Sequence, residues 1–218
     1  MKIVKPGYKI LTPLNGEEIL KQIEVVARTC YKSEDRITAD SAERMVRNLI
    51  KNGHEAMLEH FSISVRFTVD RGVSHELVRH RLASFAQEST RYCNYSQDRF
   101  GGEITVIQPD FSEFEKDDWI ACRELWQDSC ETAEYSYFRL LEKGVSPQIA
   151  RSVLPNSLKT EIVMTANLRE WRHFFKLRAA GITGKPHPQM LEVTVPLLNE
   201  LKEKIPIIFD DIMPRNED

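Results

Sequence analysis

The ten residues FSISVRFTVD, from Phe61 to Asp70, constrain the fold of this chain more than any other stretch. Phe61, Ile63, Val65, Phe67 and Val69 alternate with Ser62, Ser64, Arg66 and Thr68. Period two marks a strand with one buried face and one polar face. Such a strand cannot stand alone. Its backbone needs neighbouring strands, and its apolar face needs a cover. GGEITVIQP at 101–109 and the apolar TEIVMTAN at 160–167 are further candidate strands, and residues 1–12 read as a short strand before a Pro-Leu-Asn-Gly turn.

The cover is helical. From Glu17, the spacing of Ile19, Ile23, Val26, Ala27 and Cys30 predicts an amphipathic helix. A second follows Asp40 or Ser41 as N-cap, with Met45, Val46, Leu49 and Ile50 inward and Gly53 as its stop. A helix near Ser74 is expected to carry Leu77, Val78 and Leu82 inward, followed by a polar loop. Residues 115–143 read as one long helix with Trp119, Trp126 and Tyr137. Pro147 opens a short helix that ends before Pro155. LREWRHFFKLRAAGI and PHPQMLEVTVPLLNELKEK supply two more. With no repeat and no linker, residues 1–218 read as a single α+β domain.

Composition excludes several classes. The chain has 41% hydrophobic and 29% charged residues, so it is not a disordered type. A net charge of −3 argues against a general nucleic-acid binder. The N-terminus has no apolar signal-peptide core, no run reaches the length of a membrane span, and a cytoplasmic location is expected. Cys30, Cys93, Cys122 and Cys130 form no CxxC pair and read as free thiols, with Cys122 half-buried on a helix.

Cations in the middle of the chain are unevenly chosen. Between Lys51 and Lys116 there is no lysine, yet Arg66, Arg71, Arg79, Arg81, Arg91 and Arg99 lie there. Arginine presents a planar fork suited to phosphate and planar anions, so the bias fits a phosphate or nucleobase ligand; a solvated arginine-rich edge fits equally. On a helix Arg79 and Arg81 would diverge; in an extended segment they would share one face, with His80 on the other. Ser84, Gln87, Ser89, Thr90 and Tyr92 follow, a run of neutral donors and acceptors able to read a base edge. Leu168, Trp171, Phe175, Ala179 and Ile182 form an apolar helical stripe that includes Arg178, which needs an anionic or acceptor partner there. Asn167 stands where an N-cap would. His54, Glu55, Glu59 and His60 fit no HExxH or HxxEH spacing, so no metal site is expected. Nothing near Cys93 in sequence would activate it as a nucleophile, so an inert thiol is expected. There is no GxGxxG or GxxxxGK[ST] cradle.

Arg79-His80-Arg81, then seven residues, then Ser89, resembles the RHRx7S signature of the flavin-dependent thymidylate synthases. GHEAMLEH, ARSVLP, ANLREWRHFFKLR and HPQM are similar to segments of that family in its order, over roughly residues 50–96 and 147–200. The resemblance implies a central, mostly antiparallel sheet flanked by helices, and a homotetramer with shared active sites. It implies methylation of dUMP to dTMP, with methylenetetrahydrofolate as carbon donor and NADPH reducing a bound FAD that supplies the hydride. Its flavin contacts fall on His54, Ala56, Arg79, His80, Arg81, Gln87, Asn167, Leu168, Arg169 and His173. Its nucleotide contacts fall on Glu76, Leu77, Val78 and Arg79, on Gln87, Glu88, Ser89, Thr90 and Arg91, and on Arg151 and Arg178. Arg178 would stabilise negative charge at N3 of the uracil, and Ser89 would orient the base rather than attack it. Glu76 and Ala56 depart from the residues usual at their positions in that family. Two other readings compete: a non-catalytic nucleotide- or RNA-binding module, and a metal-dependent nucleotide hydrolase built on His54, Glu55, Glu59 and His60.

Overall fold

The alternation at Phe61–Asp70 becomes strand β3, Ser62–Asp70, in which Ile63, Val65, Phe67 and Val69 are fully buried. The computed structural model describes residues 1–97, 101–111 and 114–215, so Arg99 lies outside the described residues. The other strands are β1 (Lys2–Val4), β2 (Gly7–Ile10), β4 (Ser84–Gln87), β5 (Thr105–Ile107) and β6 (Lys159–Asn167). β2, β3, β6 and β4 lie in that order in a four-stranded antiparallel sheet. The β3–β6 register is legible in its bonds. The Leu168 amide donates to the Phe61 carbonyl, the Ser64 and Thr165 hydroxyls meet at 2.8 Å, and the Arg71 amide donates to the Leu158 carbonyl. One residue number climbs as the other falls by the same step, which only antiparallel pairing produces. β6 has the same alternation, burying Thr160, Ile162, Met164 and Ala166.

Among the described residues there are seven α-helices, α1 (Gly16–Thr29), α2 (Ser41–Lys51), α3 (Arg71–Leu77), α4 (Lys116–Glu142), α5 (Pro147–Ala150), α6 (Leu168–Arg178) and α7 (Pro188–Lys204), together with short 3-10 turns at Glu34–Arg36, Glu55–His60 and Arg151–Val153. Contacts group the chain into two compact units. One comprises residues 1–7, 67–77 and 86–162, the other residues 8–66, 78–85 and 163–218. The chain passes between them repeatedly, so no linker marks a boundary in the sequence.

In the first unit, α4 buries Cys130 and Tyr137 against Tyr95, Ile104, Val106, Ala150 and Leu158. β1 pairs with β5 in parallel, a two-stranded ladder that local pattern did not foretell. In the second unit, the Trp171, Phe174 and Phe175 side chains of α6 are fully buried. Each contributes about 2–3 kcal/mol through burial. Trp171 stacks on Phe175 at 5.7 Å, and its indole N–H donates to the Ile63 carbonyl. Asn15 caps α1 by accepting from the Glu18 amide at 3.3 Å, and the first helical residue is glycine for a steric reason: a Cβ at Gly16 would sit 2.4 Å from the Lys204 carbonyl oxygen. Buried Glu24 accepts from Arg28 and from the Ser41 hydroxyl, tying α1 to the start of α2. Gly53 terminates α2 at φ +70°, as its placement required.

The expected helix after β3 needs correction. It starts at Arg71 rather than near Ser74, because the Asp70 carboxylate accepts from the Val73 amide at 2.6 Å and caps it early. It ends at Leu77, so Val78 and Leu82 are exposed rather than inward. The stretch read as helix end and polar loop contains β4 instead. Ile182 is also exposed, because α6 stops at Arg178 and the apolar stripe ends at Ala179. The cysteines are free as expected, with Cys122 half-buried. No described helix is long and apolar enough to cross a membrane.

Candidate active site

Arg79-His80-Arg81 leaves the end of α3 in an irregular turn. Arg79 and Arg81 are exposed, and His80 between them is buried. The side chains alternate as an extended segment would place them, two guanidinium groups outward and one imidazole inward, although the backbone here is a turn. Below them lies the middle of α6. His80 Nδ1 meets Glu170 Oε1 at 3.2 Å, and Arg178 Nε donates to His80 Nε2 at 3.2 Å. The imidazole packs edge-on against Phe174 at 4.9 Å and lies 5.9 Å from the His173 ring. Burial, then the Arg178 guanidinium, then His173 push the His80 pKa from 6.5 down to about 4, so the ring is neutral at pH 7. Burial raises the Glu170 pKa.

α6 begins at Asn167, whose side-chain oxygen accepts from the Glu170 amide at 2.9 Å, as an N-cap. The positions of Arg169 and His173 on the helix leave both exposed. His54 and Ala56 are exposed on the turn before β3. Leu168 is fully buried, so only its backbone can face a ligand. Together these place His54, Ala56, Arg79, His80, Arg81, Asn167, Leu168, Arg169, His173 and Arg178 in the second unit.

The remaining predicted residues lie in the first unit, apart from Val78, which is exposed in the second. There the Gln87 amide donates to the Ser74 hydroxyl at 2.9 Å and to Thr160 at 3.3 Å. Glu88 is held from three sides, by Lys159 at 3.0 Å, the Glu161 amide at 3.3 Å and the Tyr95 hydroxyl at 3.4 Å. The Ser89 hydroxyl accepts from the Arg91 amide, and its carbonyl accepts from the Tyr92 and Cys93 amides. Arg151 donates to the buried Thr90 hydroxyl at 3.0 Å, and Arg91 to Gln148 at 3.3 Å. Glu76 is half-buried, whereas Leu77 is fully buried and can offer only backbone. Arg71, one of the six arginines, donates to the Glu88 carbonyl and so braces this loop. Glu88 and Thr90 thus order the loop, while Arg91 remains exposed on it.

The acids of GHEAMLEH are engaged elsewhere. Glu55 accepts from Arg172 Nε at 3.0 Å, and Glu59 from Arg169. A hydrolytic metal site on His54, Glu55, Glu59 and His60 therefore has its carboxylates committed to arginines. Among the described residues, His80, Glu170 and His173 do bring ligand atoms within 4.8 Å of one another. The Arg178 guanidinium on His80 Nε2 sets a fixed positive charge against any cation there.

Two residues of α6 escaped sequence reasoning. Glu170 lies three residues after Asn167, a capping pattern. Arg172 falls four after Leu168 and three before Phe175, on the buried stripe. It is 1% exposed and grips Asp211 with two nitrogens at 2.6 and 2.7 Å, as well as Glu55 and the Ile208 carbonyl. Burial opposes its charge, yet Asp211 and Glu55 hold its pKa above the ordinary value. His187, exposed, caps α7 by accepting from the Gln189 amide at 3.2 Å.

Residues 15–207 match the model of the family described as Thymidylate synthase complementing protein. A flavin-dependent thymidylate synthase of Geobacter sulfurreducens is 31% identical over 199 residues, covering 88% of this chain and 81% of the relative. One from Corynebacterium efficiens is 33% identical over 214 residues, 92% of this chain and 81% of the relative. Among solved structures, the UMP/dUMP methylase PolB of Streptomyces cacaoi, bound with 5-Br dUMP, matches with a TM-score of 0.81 at 22% identity, over 96% of each chain. At that identity the likeness speaks for the fold.

Proposed function

This chain belongs to the thymidylate synthase complementing protein family, and from that premise we propose that it methylates dUMP to dTMP as a flavin-dependent thymidylate synthase. Relatives of that name, over most of the chain, support the reaction and a flavin cofactor. We further assign FAD as the flavin, NADPH as reductant and methylenetetrahydrofolate as carbon donor.

The single observation that carries the site assignment is the geometry of the RHR segment. Buried His80 anchors it, exposed Arg79 and Arg81 flank the anchor, and Arg178 is held by His80. Exposed guanidinium groups with Arg169 and His173, near the capped N-terminus of a helix, suit the diphosphate of a dinucleotide. FAD would be held by Arg79, Arg81, Arg169, His54 and His173, with the Asn167 amide NH2 as a further donor. When bound and reduced, it supplies the hydride. Arg178 is a fixed cation for the uracil, favouring negative charge at N3 without itself giving up a proton. The Gln87–Arg91 loop and Arg151 hold the nucleotide. Ser89 orients the base; among the described residues no histidine bonds to its hydroxyl, so it lacks the partner a nucleophile needs. The working form is a homotetramer, in which one 79–92 segment serves the flavin of one subunit and the nucleotide of another.

The test is the visible spectrum of the protein with added FAD, followed by NADPH oxidation with and without dUMP and by assay for dTMP. Flavin uptake with dUMP-dependent turnover is expected. A protein that takes up no flavin and shows no dUMP-linked oxidation would overturn the reading, and nucleotide or RNA binding would replace it.

A further inference from the structure

Both ring nitrogens of His80 are in use, and the chemistry of their partners fixes the proton. A guanidinium Nε–H can only donate, so His80 Nε2 facing Arg178 must be the lone pair. A neutral imidazole carries one N–H, which is therefore on Nδ1, where it donates to Glu170 Oε1. Hydrogen bonds then run in one direction, from Arg178 to His80 to Glu170. We propose that Glu170 is a positioning residue for the reaction: it holds His80 in the Nδ1–H tautomer, and His80 in turn sets the plane of the Arg178 guanidinium.

The surroundings fit such a device. The His80 and Glu170 side chains are 3% and 5% exposed, so water does not substitute for either partner. Phe174 against the ring edge restricts its rotation. Glu170 is itself placed by the hydrogen bond that its backbone N–H donates to the Asn167 side-chain oxygen. The Arg178 backbone is pinned by the Thr194 hydroxyl, which reaches its carbonyl at 2.7 Å. Among the described residues, the charged or titratable groups facing His80 are Glu170, Arg178 and His173. The low proton affinity of His80 keeps it neutral through the range in which the relay works. Without Glu170 only the Arg178 N–H holds the proton on Nδ1, and the competing Nε2–H tautomer, which would face that N–H donor to donor and turn the guanidinium away, becomes accessible. This inference rests on the assignment of Arg178 to the uracil.

The test compares flavin-loaded wild type, Glu170→Ala, Glu170→Met and Glu170→Gln. Methionine fills a similar volume without the carboxylate, which keeps the test valid if the alanine variant does not fold. Glutamine retains an acceptor oxygen. Two readouts are taken: the tautomer of His80 by NMR of 15N-histidine-labelled protein, and kcat and KM for dUMP. Loss of the acceptor is expected to shift His80 toward Nε2–H and to lower dUMP-dependent turnover about tenfold, with flavin absorbance retained. Glu170→Gln is expected to restore both. In an Arg178→Ala background, Glu170→Met is expected to add no further loss. His80 remaining Nδ1–H in Glu170→Met, or wild-type turnover and KM in that variant, would overturn the relay. A tautomer that shifts in a protein with no dUMP-linked turnover even as wild type would uphold the relay and overturn the proposed function.

Discussion

Lowering the pH from 7 to 4 is expected to remove about 3 kcal/mol of stability through His80 alone. The folded pKa is about 4 against 6.5 for the free side chain, pushed down by burial, Arg178 and His173. Between those values the unfolded chain takes up the proton and the folded one resists. The contribution is therefore full above about 6.5, drains as pH falls toward 4, and changes no further below that. At about 1.4 kcal/mol per pH unit, about 2 kcal/mol is gone by pH 5 and about 3 by pH 4. Glu170 works in the opposite sense, because burial raises its pKa and the folded state accepts its proton early. A difference measurement removes most of that counter-trend. His80→Asn keeps an N–H donor for Glu170 and does not titrate. Urea unfolding of wild type and His80→Asn at pH 7, 6, 5 and 4 should show the stability gap between them change by about 3 kcal/mol, against the wild type in acid. A gap that stays flat would refute the assignment of a buried, neutral His80.

Arg172→Met removes the partner of Asp211 and Glu55 and releases the Ile208 carbonyl. A loss of about 3 kcal/mol is expected by urea unfolding, the lower end for a broken buried pair because Asp211 is half exposed and can rehydrate. Glu88→Ala strips the acceptor from Lys159 and Tyr95; it is expected to cost about 1–2 kcal/mol and to raise KM for dUMP, with flavin binding unchanged by absorbance titration. Arg178→Ala is expected to lower dUMP-dependent kcat by about a hundredfold or more, whereas Ser89→Ala retains measurable turnover; complete loss in Ser89→Ala would argue for a nucleophile.

Much of the candidate site was legible before any coordinates. Six arginines without a lysine, and an RHR followed by neutral hydrogen-bonding side chains, fitted an anionic, planar ligand and a solvated arginine-rich edge equally, and the resemblance to the RHRx7S signature favoured the ligand. The need of Arg178 for a partner was readable from its place on the stripe. That His80 is one such partner was not readable, since it lies 98 residues away in sequence and no local rule links them. Arg172 was missed for a related reason: its anchors, Glu55 and Asp211, are 117 and 39 residues distant.

The same division runs through the fold. Period two in β3 and β6, and the three-and-four spacing in α1, α2 and α6, follow from which side chains water rejects, so local sequence determined them and the α+β class by itself. The short strand β4 carries no strong alternation and forms because β6 offers it backbone partners. β1 and β5 pair in parallel for the same kind of reason. Only tertiary structure decided these, and only it decided which RHR side chain turns inward. Burial beside Glu170 and Arg178 gives His80 its tautomer and its low pKa. Those are properties of a neighbourhood and are not present in any segment of the chain alone.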